Sequence, residues 1–89
     1  MVIEVIPFGH ENGIPLSEVC ARSGLTSRMA REAIREANLS GERVINNGRG
    51  YFRYAGHADD AEYRRYRTSE IHRAREIIQK IRKMDGAKQ

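Results

Sequence analysis

Between Leu25 and Ala37 the apolar residues fall into a stripe. Ala30, Ala33, Ile34 and Ala37 recur at the i, i+3, i+4, i+7 spacing of one buried helix face. Arg28, Arg31 and Arg35 share the opposite face. Thr26 supplies a side-chain oxygen that can accept from a first-turn N–H, so the spacing predicts a helix over 26–37. Ahead of it, Leu16, Val19 and Cys20 mark the inner face of a second helix. That helix opens at Pro15, where a missing N–H costs nothing, and carries Glu18 in its first turn, where the helix dipole favours an acid. Ser23-Gly24 stops it, with Gly24 as the left-handed C-terminal residue. Residues 2–6 are apolar apart from Glu4 and fit a short helix or a strand; a single short helix is expected. Pro7 and the polar, glycine-containing run 8–13 then form a loop.

Beyond the arginine helix, Asn38-Leu39-Ser40-Gly41 closes the element. Residues 42–46 and 50–54 are β-prone and are separated by Asn47-Gly48-Arg49, and Asn-Gly between two such runs is a strong hairpin signal. Ala55-Gly56-His57-Ala58 reads as a joint. Asp59 is the expected N-cap of a last helix, with Glu62 three residues on completing a capping-box pattern. Nothing breaks that helix from about 60 to 84, before Gly86. Tyr63 and Tyr66 are expected to pin it to the domain. Ile71, Ala74, Ile78 and Ile81 follow a/d spacing over two heptads, short of what a coiled coil requires. This helix is longer than an 89-residue globule can easily cover, so its second half is expected to pack on a partner chain.

Composition narrows the partners. A chain of 89 residues suits one domain with a single modest core. The formal charge of +4, sequence pI near 9.6 and mean hydropathy of −0.69 suit a nucleic-acid partner, and equally an anionic membrane surface. No apolar run approaches the roughly 20 residues of a membrane span, and residues 1–6 hold no basic n-region and no cleavage-like end, so no secretory signal is expected. Cys20 is the only cysteine. No internal disulfide can form, and a reducing cytoplasm is the expected compartment.

Helix, glycine turn, plug residue Leu25, capped helix and hairpin together make the grammar of a winged helix-turn-helix. Small residues on the buried face let the arginine helix sit close to its support while the arginines reach outward, as a helix in a DNA major groove requires. On Ile6-Pro7, Gly9, Glu11-Asn12, Ile14, Glu18-Val19, Gly24-Leu25-Thr26, Arg28, Ile34 and Gly48-Arg49-Gly50-Tyr51-Phe52, followed by a charged last helix, the chain resembles small winged-helix proteins of bacterial prophages and mobile elements. The resemblance covers roughly residues 1–84. It implies sequence-specific or structure-specific DNA binding in phage gene control. The expected architecture is mostly α with a small β-hairpin. A winged helix-turn-helix domain spans 1–56 (helix-turn-helix 15–37, wing hairpin 42–54). A C-terminal helix over 59–85 follows as a dimerisation element.

The candidate DNA-binding residues follow from that arrangement. Thr26, Ser27, Arg28 and Arg31 lie near the helix N-terminus, where free N–H groups and arginine reach phosphates or base edges. Arg35, further along, is expected at phosphate. Asn46, Asn47 and Arg49 form the wing tip, with Arg49 between two glycines and able to approach a groove. Arg43 and Arg53 are candidates for backbone positioning. The plainer reading is a solvated face, with Glu32 and Glu36 pairing to neighbouring arginines. Tyr51, Phe52 and Tyr54 suit stacking on bases less well than core packing, Phe52 above all.

Other chemistry finds little support. His10, His57, His72 and Cys20 match no metal-ligand spacing, Cys20 has no paired base, and no glycine loop opens a helix to cradle phosphate. No enzyme activity, cofactor, metal or small-molecule ligand is expected. The last helix carries Arg64, Arg65, Arg67, Arg73, Arg75, Lys80, Arg82 and Lys83, interrupted by Glu62, Glu70, Glu76 and Asp85. It reads as a solvated face, a second DNA contact or a membrane-surface helix. The interrupting acids favour solvation around an apolar seam, hence a homodimer through Ile71, Ala74, Ile78 and Ile81 and no membrane partner. The expected function is a transcriptional regulator on double-stranded DNA. An excisionase-like bending factor and a protein-interaction module (an antirepressor or a replication adaptor) stand as alternatives.

Overall fold

A computed structural model describes residues 2–87. Helices α1 (Leu16–Ser23) and α2 (Ser27–Leu39) precede strands β1 (Val44–Asn46) and β2 (Tyr51–Arg53), and helix α3 (Asp60–Gly86) follows. Short 3-10 turns lie at Val2–Val5, His10–Asn12 and His57–Asp59. The fold is mostly helical, with a two-stranded antiparallel hairpin and a long C-terminal helix. Among the described residues no helix is long and apolar enough to cross a membrane.

The core joins Ile3 and Ile6 of the N-terminal segment to Val19 of α1, Ala30 and Ile34 of α2, and Val44 of β1. Ala30 is completely buried, so α2 lies close against its support with no side chain holding it off. Full burial of each aliphatic side chain contributes about 1.5–3 kcal/mol. The α1–α2 turn depends on Gly24, whose φ of +76° is left-handed and whose N–H donates to Cys20 O at 2.8 Å. A side chain there would meet its own backbone. Leu25 is half-buried against the core, and the Thr26 hydroxyl accepts from Met29 N–H at 3.2 Å. The glycine stop, plug and cap all form as expected.

In the hairpin, Val44 pairs with Arg53, Ile45 with Phe52 and Asn46 with Tyr51. Side chains alternate across a sheet. Val44 and Tyr51 therefore face the helices, while the fully buried Ile45 and Phe52 occupy the other face. The N-terminal segment is more than a helix and a loop. Its residues 7–14 run beside β2 as a broken third strand. Ile14 and Tyr51 exchange both backbone bonds (2.7 and 3.0 Å), Arg53 N–H donates to Pro7 O (2.7 Å), and Gly9 N–H to Arg53 O (2.9 Å). Gly50 makes this approach possible: a Cβ on it would stand 2.6 Å from the Ile14 carbonyl. The hairpin tip is the four residues 47–50, closed by Asn47 N–H to Gly50 O at 3.3 Å, rather than three.

Helix α3 contacts β1, and the Asn38 side chain of α2 brackets Val44 of that strand, its Oδ1 accepting from Val44 N–H at 2.8 Å and its Nδ2 donating to Val44 O at 3.0 Å. The capping expectation for Asp59 requires correction. Its side chain makes no cap bond and is 1 % exposed. The carboxylate turns inward to accept from His10 N–H, Ala55 N–H and His10 Nδ1. Asp59 N–H donates to Gly56 O, which leaves no reciprocal bond for Glu62. Asp60 instead receives the Tyr54 hydroxyl and His57 Nδ1. The helix also continues through Gly86, since Ala87 N–H still reaches Lys83 O at 3.1 Å.

At 27 residues, α3 is about 40 Å long. The molecule measures 51 × 31 × 23 Å, with a radius of gyration of 15.7 Å. A compact domain of this length has about 12 Å. The difference is the second half of α3, which projects beyond the globule.

Candidate nucleic-acid interface

Buried Ala30 and Ile34 fix the roll of α2 and leave Arg28, Arg31 and Arg35 exposed. These three span about 10 Å along the helix axis, within the reach of a major groove about 12 Å wide. Arg35 pairs with Glu32 at 3.3 Å in an exposed i, i+3 bridge. Among the described residues Arg28 and Arg31 make no ion pair, so their guanidinium donors are uncommitted. Thr26 and Ser27 sit at the open N-terminal end of α2, with Ser27 Oγ 3.9 Å from Cys20 Sγ.

The hairpin tip is built by its asparagines. Asn46 Oδ1 accepts from Gly48 N–H and Asn47 Oδ1 from Arg49 N–H, each at 3.0 Å. Both are local turns in which the side chain mimics backbone. The oxygens are engaged in shaping the tip, which leaves the Nδ2 amides as the donors. Arg49 is exposed at the crest.

A cleft of about 810 Å³ opens between α2, the hairpin and α3. It brings Arg31 and Arg35 together with Asn46 and Asn47, over a floor that includes Ile34, Val44 and Tyr51. Thr26, Ser27 and Arg28 lie outside it, at the free end of α2. Arg49 faces a smaller hollow of about 520 Å³ on the far side of the tip, shared with Asn47, Arg65 and Glu62. The sequence reading missed the far wall of the main cleft, where α3 contributes Arg65 and Arg73 beside Glu62 and Glu70. A signal for it existed. Glu62, Tyr66, Ser69 and Arg73 follow the i, i+4, i+7, i+11 spacing of one helix face, so the tyrosine that docks α3 also turns its polar neighbours toward α2.

Two arginines near the hairpin have partners within the fold. The Arg43 guanidinium lies 4.6 Å from the Tyr54 ring centroid and 4.9 Å from that of Tyr63. Those rings themselves meet edge-on at 6.0 Å. The cation thereby helps clamp the start of α3 to the sheet. Arg53 Nε donates to Ile6 O at 2.7 Å, and its guanidinium stands 3.9 Å above the Phe8 ring. Tyr66 is held above the ordinary phenol range by burial first, then by the nearby Glu70 charge.

Among the described residues Asp59 is the buried charged side chain. Burial pushes its carboxyl up, but the hydrogen bonds from His10 and from the Ala55 N–H outweigh that and hold it below the usual carboxylate range. The same bond raises His10 above 6.5 against the opposing effect of desolvation. The imidazole packs edge-on to Phe52 with centroids 6.3 Å apart. His57 and His72 pair with Asp60 and Glu76. Among the described residues no group of three His, Cys, Asp or Glu side chains could hold a metal.

On the projecting half of α3, Ile78 is 51 % and Ile81 47 % exposed, and Ile77 and Met84 widen the stripe. Ala74 is exposed and Ile71 half-buried. Comparison with protein-family models, with curated proteins and with solved structures finds no match.

Proposed function

We propose that this chain is a double-stranded DNA-binding protein of the winged helix-turn-helix kind, acting in the cytoplasm as a prophage-type transcriptional regulator. The observation that carries the reading is the exposed, unpaired Arg28–Arg31 face of a capped helix, seated behind a glycine turn and beside an asparagine-built hairpin tip. In this reading α2 enters the major groove. Ser27, Arg28 and Arg31 reach base edges or phosphates, with arginine able to grip guanine O6 and N7 in a bidentate pair. Thr26 and the free N–H groups of the α2 N-terminus favour a phosphate. Arg35 meets the backbone, and the tip residues Asn46, Asn47 and Arg49 meet the adjoining backbone or groove.

The protein acts as a homodimer through Ile71, Ala74, Ile78 and Ile81. An isolated solvent-surrounded half-helix is marginal in water, and a second copy supplies the missing apolar surface. A two-fold dimer presents two α2 helices to half-sites a helical turn or a multiple of it apart.

Binding of an operator selected from random duplexes tests the reading. Arg31→Ala is expected to weaken binding by about 1–3 kcal/mol and relax preference at one base pair. Unchanged affinity and preference would overturn the assignment of α2.

A further inference from the structure

The interface does not end at α2 and the tip. We propose that the cleft between α2 and α3 seats one sugar–phosphate strand of the duplex, making the docked half of α3 a second wall of the DNA site. This rests on the DNA-binding reading above. Arg31 and Arg35 face the strand from one side, and Arg65 and Arg73 from the other.

Three features point to a phosphate strand as the occupant. Four arginines converge on the cleft against two glutamates, so the walls carry a net positive charge. Each glutamate is already held by an arginine of its own helix, Glu62 by Arg65 at 3.8 Å and Glu70 by Arg73 at 3.4 Å. These are long pairs whose arginines are each 73 % exposed, of little worth, and a phosphate offering charge-assisted, bidentate bonds displaces them readily. Asn46 and Asn47 stand between the walls and bring neutral amide donors, the other side-chain type that meets backbone oxygens. Arg65 and Arg73 are about 12 Å apart along the α3 axis, far enough to engage separate phosphates. Arg67 and Arg75 of the same helix line no part of the cleft, whereas Arg73 shares the helix face of Tyr66.

The test compares two double variants with the same change in charge. Arg65→Ala/Arg73→Ala removes the far wall, and Arg67→Ala/Arg75→Ala removes arginines that face away. Affinity for a mixed-sequence duplex of about 25 base pairs is measured between roughly 50 and 200 mM salt, with circular dichroism melts confirming that both variants fold. The far-wall variant is expected to lower the slope of log K against log salt by about 2 and to weaken binding equally across sequences. The control is expected to keep the wild-type slope. Equal slopes for both variants and the wild type overturn the proposal, as does an equal loss in both, which would mark a diffuse charge effect. An acidic peptide bound more tightly than the duplex, with the far-wall variant losing it, also overturns the proposal and identifies a protein partner. Wild type that binds no duplex at any salt refutes the DNA-binding reading itself, a separate outcome.

Discussion

Replacing Asp59 by alanine removes the acceptor for three hydrogen bonds at once. The carboxylate takes His10 N–H at 3.0 Å, Ala55 N–H at 2.7 Å and His10 Nδ1 at 2.7 Å, while itself 1 % exposed. Alanine leaves two backbone donors and an imidazole without their partner. An orphaned donor costs about 1–3 kcal/mol when buried. These sites are only partly buried, so the low end applies and the sum is about 2–3 kcal/mol. A domain of this length has about 4–13 kcal/mol in all, so the loss is a large share. It corresponds to a fall in Tm of about 10–20 °C. Asp59→Asn keeps an acceptor oxygen but no charge, and is expected to lose about half as much. Thermal melts near pH 6 read the difference, and hydrogen exchange at the His10 and Ala55 amides reports the broken bonds directly. An alanine variant within about 0.5 kcal/mol of wild type, the range of ordinary surface changes, would refute the account of how α3 is anchored.

The same pair sets a pH dependence. His10 is raised above 6.5, so its contribution is complete below 6.5 and is lost as pH rises through the folded-state value. Asp59 is lowered from 3.8, so its contribution is present above 3.8 and is lost as pH falls through its folded-state value. The Tm difference between wild type and His10→Ala should therefore be largest between 3.8 and 6.5 and shrink in alkali; a difference flat across pH would contradict the pairing. Gly50→Ala puts a Cβ 2.6 Å from the Ile14 carbonyl, where only backbone can yield. It should cost about 2 kcal/mol by breaking the Ile14–Tyr51 bonds, with faster exchange at the Tyr51 amide; protection unchanged from wild type would show that the strand adapts. Sedimentation of the wild type at roughly tens of micromolar should find a dimer, and Ile78→Asp should give a monomer whose far-ultraviolet spectrum loses only helical signal from the projecting half of α3. A monomeric wild type would remove the second copy from the account.

The elements were legible where local chemistry decides them. The alanine stripe of α2, Gly24 at φ +76° and the Thr26 cap each act within a few residues. The hairpin signal around Asn47-Gly48 likewise marks a real pair of strands. Contacts set by distant parts of the chain were not legible. Residues 7–14 join the sheet through isolated bridges, too short to leave an alternating pattern. Asp59 stands where a capping residue stands, and only the approach of His10, 49 positions away, turns it inward. Arg43 and Arg53 read only as candidates for backbone positioning because the rings that they cover come from other segments. Arg65 and Arg73 looked like a solvated face for the same reason: which side of α3 meets α2 depends on where Tyr63 and Tyr66 dock.

The claim that most needs a direct test is that the arginine face of α2 belongs to a DNA interface. Fluorescence anisotropy of a labelled duplex of about 25 base pairs, titrated with the wild-type protein at roughly 50 and 200 mM salt, provides it. The account predicts micromolar or tighter binding at the lower salt that weakens steeply at the higher, as the counterions freed by phosphate contacts gain less entropy on entering a more concentrated solution. No binding at either salt would contradict it, and would turn attention to the apolar stripe of α3 as a surface for another protein.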